Sequence, residues 1–200
     1  LMEGGFVAVV AAKAFNVEPW VIAVISAAPM FGNLSSFVWT RIATGRSKIP
    51  MVVALQTLVL LCVAAIAISP RSQAGAWILL ASVVLCRMLI TGIITVRSVA
   101  WSLNYDRALR ARATGRLQAI TSLTVVLTTS LAGLILDAHP ENFRWIYAAG
   151  AVFGGVGVWL FRGVLVRGEK RHRVLERRGA QDGRRRDGFF EVLRKDTLYA

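Results

Sequence analysis

Long uncharged apolar runs alternate with short polar gaps from one end of this chain to the other. The runs are residues 19–40, 49–70, 76–96, 117–136 and 145–161, and the third, 76–96, is broken only by Arg87. A helix rises 1.5 Å per residue, so crossing about 30 Å of hydrocarbon takes about 20 residues. The pattern therefore predicts five helices that can span a bilayer. Residues 1–12 are also apolar but too short, and read as the exit end of a first span. The expected architecture is all-α, with six transmembrane helices, the first truncated. The bundle is expected over residues 1–165, and residues 166–200 as a cytoplasmic basic linker. Pro19 opens its run where a first helical turn tolerates proline, and Pro29 inside the same run should kink that helix.

Charge gives the runs a direction. All but four of the 24 Lys and Arg fall in alternate gaps or in the tail; the exceptions are Lys13, Arg71, Arg87 and Arg144. Cytoplasmic loops collect Lys and Arg, so the gaps 41–48 and 97–116 and the tail from Arg162 are assigned to the cytoplasm. Both ends of the six-span chain are then cytoplasmic, in a plasma or inner membrane. Glu18, Asp137 and Glu141 fall in the opposite gaps. Trp20, Trp77 and Trp145 open spans on the outer side, whereas Trp39, Trp101 and Trp159 lie toward the inner ends, as interfacial belts require.

The overall composition agrees: 56% of residues are hydrophobic and mean hydropathy is +0.57. The net charge of +13 invites a nucleic-acid reading. That reading is rejected because the basic residues sit between apolar spans, not along a groove-reading element. Cys62 and Cys86 lie inside apolar runs, away from any CxxC or histidine, and read as buried free thiols. No metal site and no cofactor is expected. Motifs of membrane hydrolases and proteases are missing from the spans, so the chain is not expected to be an enzyme.

Polar residues inside the spans mark candidate chemistry. Arg87 lies about 15 Å deep, where a charge is costly and faces a cavity or a partner. Glu3 stands at matching depth, also counted from the outer side, beside Gly4 and Gly5, and is its candidate partner in a proton relay. Thr121, Thr124 and Thr128 share one helical face. With Asn33 and Thr91 they suggest that helices one, two, four and five line a polar path while three and six face outward. The structural alternative is that these hydroxyls bond backbone carbonyls of their own helices. Gly150 and Gly154 form a GxxxG packing face on the last span. Arg41, Arg46, Lys48, Arg112 and Arg116 form a candidate cytoplasmic gate.

This layout resembles the N-terminal half of a major facilitator superfamily transporter along essentially the whole chain. The resemblance rests on residues 27–32 (AAPMFG) running into the basic segment 39–48, on Asn104-Tyr105-Asp106 with Arg112-Ala113-Thr114-Gly115-Arg116-Leu117, and on residues 189–196 (FFEVLRKD). It implies two inverted three-helix repeats, half of a 12-helix secondary transporter that moves a small solute by alternating access. The implied partners are membrane lipid, an unknown small-molecule substrate, protons as a candidate coupling ion, and a second six-helix half that this chain lacks. The gap after the second span departs from the family pattern. It carries no acid, since no Asp or Glu occurs between Glu18 and Asp106. Drug/proton antiport is not favoured, because the Gly-Pro-Gly-Gly motif of its fifth helix is replaced by Ser130-Leu131-Ala132-Gly133. The different-class alternative is a non-transporting membrane sensor or scaffold whose basic tail, with Arg184-Arg185-Arg186, engages acidic lipid.

Overall fold

The structure is a computed structural model that describes residues 4–183. Among the described residues the secondary structure is helical: α1 (Gly4–Phe15), α2 (Pro19–Ala43), α3 (Lys48–Ala67), α4 (Gln73–Asn104), α5 (Arg107–Ala138), a 3-10 turn (Pro140–Asn142), α6 (Phe143–Phe161) and α7 (Glu169–Gly183). Five of them, α2 to α6, are long and apolar enough to cross a membrane. The 12-residue α1 is apolar but shorter than a span.

Helix α4 is the centre of the bundle. Its buried residues Leu79, Val83, Cys86, Leu89, Ile93 and Val96 recur at helical spacing and pack between α2 and α3. Toward the Lys13 end they join Phe6, Val7, Val10, Ile25, Ile66, Phe143 and Tyr147. Toward the other end they join Val52, Leu55, Cys62 and Ala43. Lipid is as apolar as these side chains, so the association depends on close fit. Two glycines show that fit. A Cβ on Gly92 of α4 would fall 2.7 Å from the Trp39 ring of α2, and one on Gly154 of α6 would collide with Leu60 of α3. Gly154 thus serves the packing role expected of the GxxxG stretch. Cys62 and Cys86 are buried free thiols.

The helices differ from the apolar runs in where they stop. Helix α2 continues through Pro29 to Ala43. The expected basic gap 97–116 is corrected by the structure. Helix α4 runs on to Asn104 and α5 starts at Arg107, so the connection is only Tyr105 and Asp106. Arg97, Arg110, Arg112 and Arg116 are therefore helical residues. The physical reason is length: 32 residues make a helix of about 48 Å, which overhangs about 30 Å of hydrocarbon, and overhanging turns tolerate charge while staying helical. Within residues 166–200, the segment Glu169–Gly183 folds as a helix.

Candidate functional site

Arg87 sits half-buried in the middle of α4, where Gly32 of α2 packs against the α4 backbone. A Cβ on Gly32 of α2 would lie 2.9 Å from the Arg87 carbonyl oxygen and 2.8 Å from Thr91 Oγ1. Only a glycine lets the two backbones approach this far. Thr91 Oγ1 donates to the Arg87 carbonyl at 3.1 Å, and Thr95 Oγ1 to the Thr91 carbonyl at 2.8 Å. Ser35 Oγ donates to the Gly32 carbonyl at 2.6 Å and accepts from Trp39 Nε1 at 3.1 Å. Asn33, next to Gly32, is uncovered by other residues. Thus Arg87, Thr91 and the Gly32–Asn33 pair occupy one level of the bundle. Glu3, the expected partner of Arg87, lies outside the described residues.

The candidate path threonines lie near the middle of α5. Thr121, Thr124 and Thr128 are all uncovered. Thr124 Oγ1 donates to the Ile120 carbonyl at 2.8 Å and Thr128 Oγ1 to the Thr124 carbonyl at 2.7 Å. The Thr124 and Thr128 hydroxyls thus bond within their own helix, the alternative that sequence left open.

At the cytoplasmic-assigned end, Lys48 is the buried member of the candidate gate. Its side chain is 1% exposed, while Arg41, Arg46, Arg112 and Arg116 are exposed. The Lys48 ammonium donates to the Ala43 carbonyl at 2.8 Å and to both Glu176 carboxylate oxygens at 2.9 Å. Glu176 also accepts from the Gly45 backbone N–H at 2.8 Å. Glu169 accepts from the Lys48 backbone N–H at 2.6 Å, which supplies an acceptor at the start of α3, where helical N–H groups lack partners. Arg177 donates to the Gly45 carbonyl from Nε at 3.3 Å and from a terminal nitrogen at 3.1 Å. Gly45 takes a φ of +71°, a conformation that favours glycine. His172 Nδ1 lies 3.4 Å from Glu176.

Together these contacts clamp α7 onto the α2–α3 connection. Burial alone would raise the Glu176 carboxyl. The hydrogen bonds from Lys48 and Gly45, with the Lys48 charge and nearby His172, outweigh it and hold the group below its ordinary range. The α2–α3 connection has no acid of its own, and α7 provides two. Sequence reasoning missed Glu169 and Glu176. A signal was present: they are seven residues apart, so on a helix they share a face. No helix was expected in that polar tail.

Five span-length apolar helices around one core make this a multi-pass membrane protein. The family profile of the Major Facilitator Superfamily matches residues 2–199, and the chain belongs to that family. Members of the family are transporters. Neither the curated proteins nor the solved structures offer a match to the chain.

Proposed function

We propose that this chain is one six-helix half of a secondary active transporter that moves a small solute by alternating access. In this reading residues 1–165 form two inverted three-helix repeats and residues 166–200 lead toward a second six-helix half. Both ends face the cytoplasm. Arg87 faces the solute path near the midplane with Asn33 and Thr91, and Glu3 shares that cavity as a proton-carrying partner. Thr121, Thr124 and Thr128 line the path once the second half covers α5. Arg41, Arg46, Lys48, Arg112 and Arg116 belong to the cytoplasmic gate, with the α7 clamp as its fixed edge.

The observation that carries the reading is a half-buried arginine in the middle of a spanning helix, where Gly32 of α2 packs against the α4 backbone. A cation at that depth costs about 3 kcal/mol or more, a burden that a structural helix has no need to bear. The sorting of charge supports the topology. Lys13 pairs with Asp137, Arg71 Nη1 lies 3.5 Å from Glu141, and Arg144 donates to the Ser69 carbonyl at 3.2 Å, all at the end opposite the clamp. The test is proton-coupled flux through the complete transporter in liposomes, with and without Arg87→Lys. Loss of flux, or a shifted pH dependence, is expected. Unchanged flux with an unchanged pH profile removes Arg87 from the mechanism.

A further inference from the structure

The two turns by which α4 overruns its apolar span carry a feature that the transport reading does not use. Arg97, Trp101 and Asn104 fall at i, i+4 and i+7 on one face. The Arg97 guanidinium carbon lies 5.1 Å from the Trp101 ring centroid. Across from them, Thr114, Gln118 and Thr121 make the same i, i+4, i+7 row on α5. Between the rows is a cavity of about 410 Å³, lined also by Ile49 of α3, Phe161 of α6 and Val164 beyond it. Asn104 fixes the far wall: its amide donates to the Leu165 carbonyl at 2.8 Å, and its oxygen accepts from the Arg167 backbone N–H at 2.8 Å. A second cavity of about 230 Å³ lies against the same Arg97, Trp101 and Thr114 and adds Arg110.

The chemistry of this double cavity is one-sided. Its charged side chains are Arg97 and Arg110, and among the described residues no carboxylate lines either cavity. With one face on an indole, a guanidinium keeps its N–H edge free for the two oxygens of a carboxylate or phosphate. The remaining walls combine the uncharged polar groups of Asn104, Thr114, Gln118 and Thr121 with apolar and aromatic side chains such as Leu117 and Phe161, and the larger volume falls within the usual range for small-ligand sites. Arg97 lies seven residues before the end of α4, or about 10 Å along its axis. In a helix that overhangs the hydrocarbon by about 9 Å at each end, this puts the guanidinium at the headgroup boundary. A snorkelling arginine would need no cavity.

We propose that the cavity between α4 and α5 binds an amphiphilic organic anion, with its oxyanion head on Arg97 and Arg110 and its apolar body against Leu117 and Phe161. The walls come from this chain alone, so the inference does not depend on a second half, and its test reads binding, not flux. Two sources carry this chemistry: an anionic lipid of the cytoplasmic leaflet and a soluble aromatic acid.

The experiment uses the intact protein with three probes. Oleate and dioleoylphosphatidylglycerol are titrated in detergent and counted by native mass spectrometry. Benzoate is titrated by calorimetry into phosphatidylcholine nanodiscs. Saturable one-to-one binding of at least one probe is expected, weakened about tenfold or more by Arg97→Gln through loss of a charge-assisted fork, and unaffected by Arg178→Gln on α7. Binding of oleate or phosphatidylglycerol alone identifies a leaflet lipid; binding of benzoate alone identifies a soluble acid. Saturable binding of none of the three, or binding that survives Arg97→Gln, overturns the proposal. If Arg97→Gln fails to fold, Trp101→Leu and Gln118→Leu read the same cavity from its two walls, and undiminished binding in both overturns it.

Discussion

The two ends of this bundle hold their charges in opposite ways. At the Lys13 end, Lys13–Asp137 and Arg71–Glu141 are exposed ion pairs, with side chains 41–67% uncovered. At the Lys48 end, an ammonium only 1% exposed is enclosed by a backbone carbonyl and a carboxylate, and that carboxylate also holds a backbone N–H. Exposed pairs are worth about 0–1 kcal/mol and move freely with salt and solvent. An enclosed pair costs several kcal/mol to break from one side, because the survivor is left buried. One end is thus loosely stitched and the other latched, although their residue types are alike. The difference lies in α7, which covers the Lys48 end and, among the described residues, has no counterpart at the other.

The largest test of that contrast is to remove the acid. Glu176→Gln leaves the Lys48 ammonium buried without its counter-charge, and should cost α7 docking about 3 kcal/mol. Trypsin cleavage within α7, at Arg173 or Arg177, should then speed up by about a hundredfold. Lys48→Met should cost less, because Glu176 is 20% exposed and can turn toward water. Equal acceleration in both variants, or none in either, would show that the latch does not depend on the buried cation.

A smaller effect comes from pH. Glu176 is held below its ordinary carboxylate range, by hydrogen bonds from Lys48 and Gly45 and by the charges of Lys48 and His172, against an opposing push from burial. A depressed acid stabilises the folded contact fully above its unfolded value, about 4.3, and the contribution fades as pH falls through the lower folded value. A nitroxide at position 178 should therefore report an immobile α7 at neutral pH and growing mobility below about pH 4. In Glu176→Gln the same label should be mobile at every pH. If wild-type mobility begins to rise well above the carboxylate range, another group controls the latch.

These contrasts also mark what could be read from sequence. The span positions were legible because hydropathy over a bilayer's width is a local property. So was the sorting of Lys13, Glu18, Arg71, Asp137, Glu141 and Arg144 away from Arg41, Arg46 and Lys48. The length of α4 was not: Arg97 ends an apolar run without ending a helix, since backbone bonding does not stop where hydrocarbon does. Nor was the clamp legible, because Glu169 and Glu176 meet Lys48 across more than a hundred residues, and the net charge of the tail hides two acids among many arginines. The threonines of α5 looked like a polar path by spacing alone. The Thr124 and Thr128 hydroxyls bond to their own helix, a detail that spacing cannot reveal.

The smallest expected effect belongs to the loosely stitched end. Lys13 of α1 and Asp137 of α5 form the ion pair between those helices, with side chains 45% and 62% exposed. Water competes for both partners, and holding two flexible side chains together costs rotamer entropy. A cycle of Lys13→Gln, Asp137→Asn and the double variant should give a coupling below about 0.5 kcal/mol in thermal unfolding, shrinking further in high salt. The same cycle on Lys48 and Glu176 should give several times as much. A coupling above about 1.5 kcal/mol for Lys13 and Asp137 would mean that this end is latched as well, and the asymmetry between the two ends would then no longer hold.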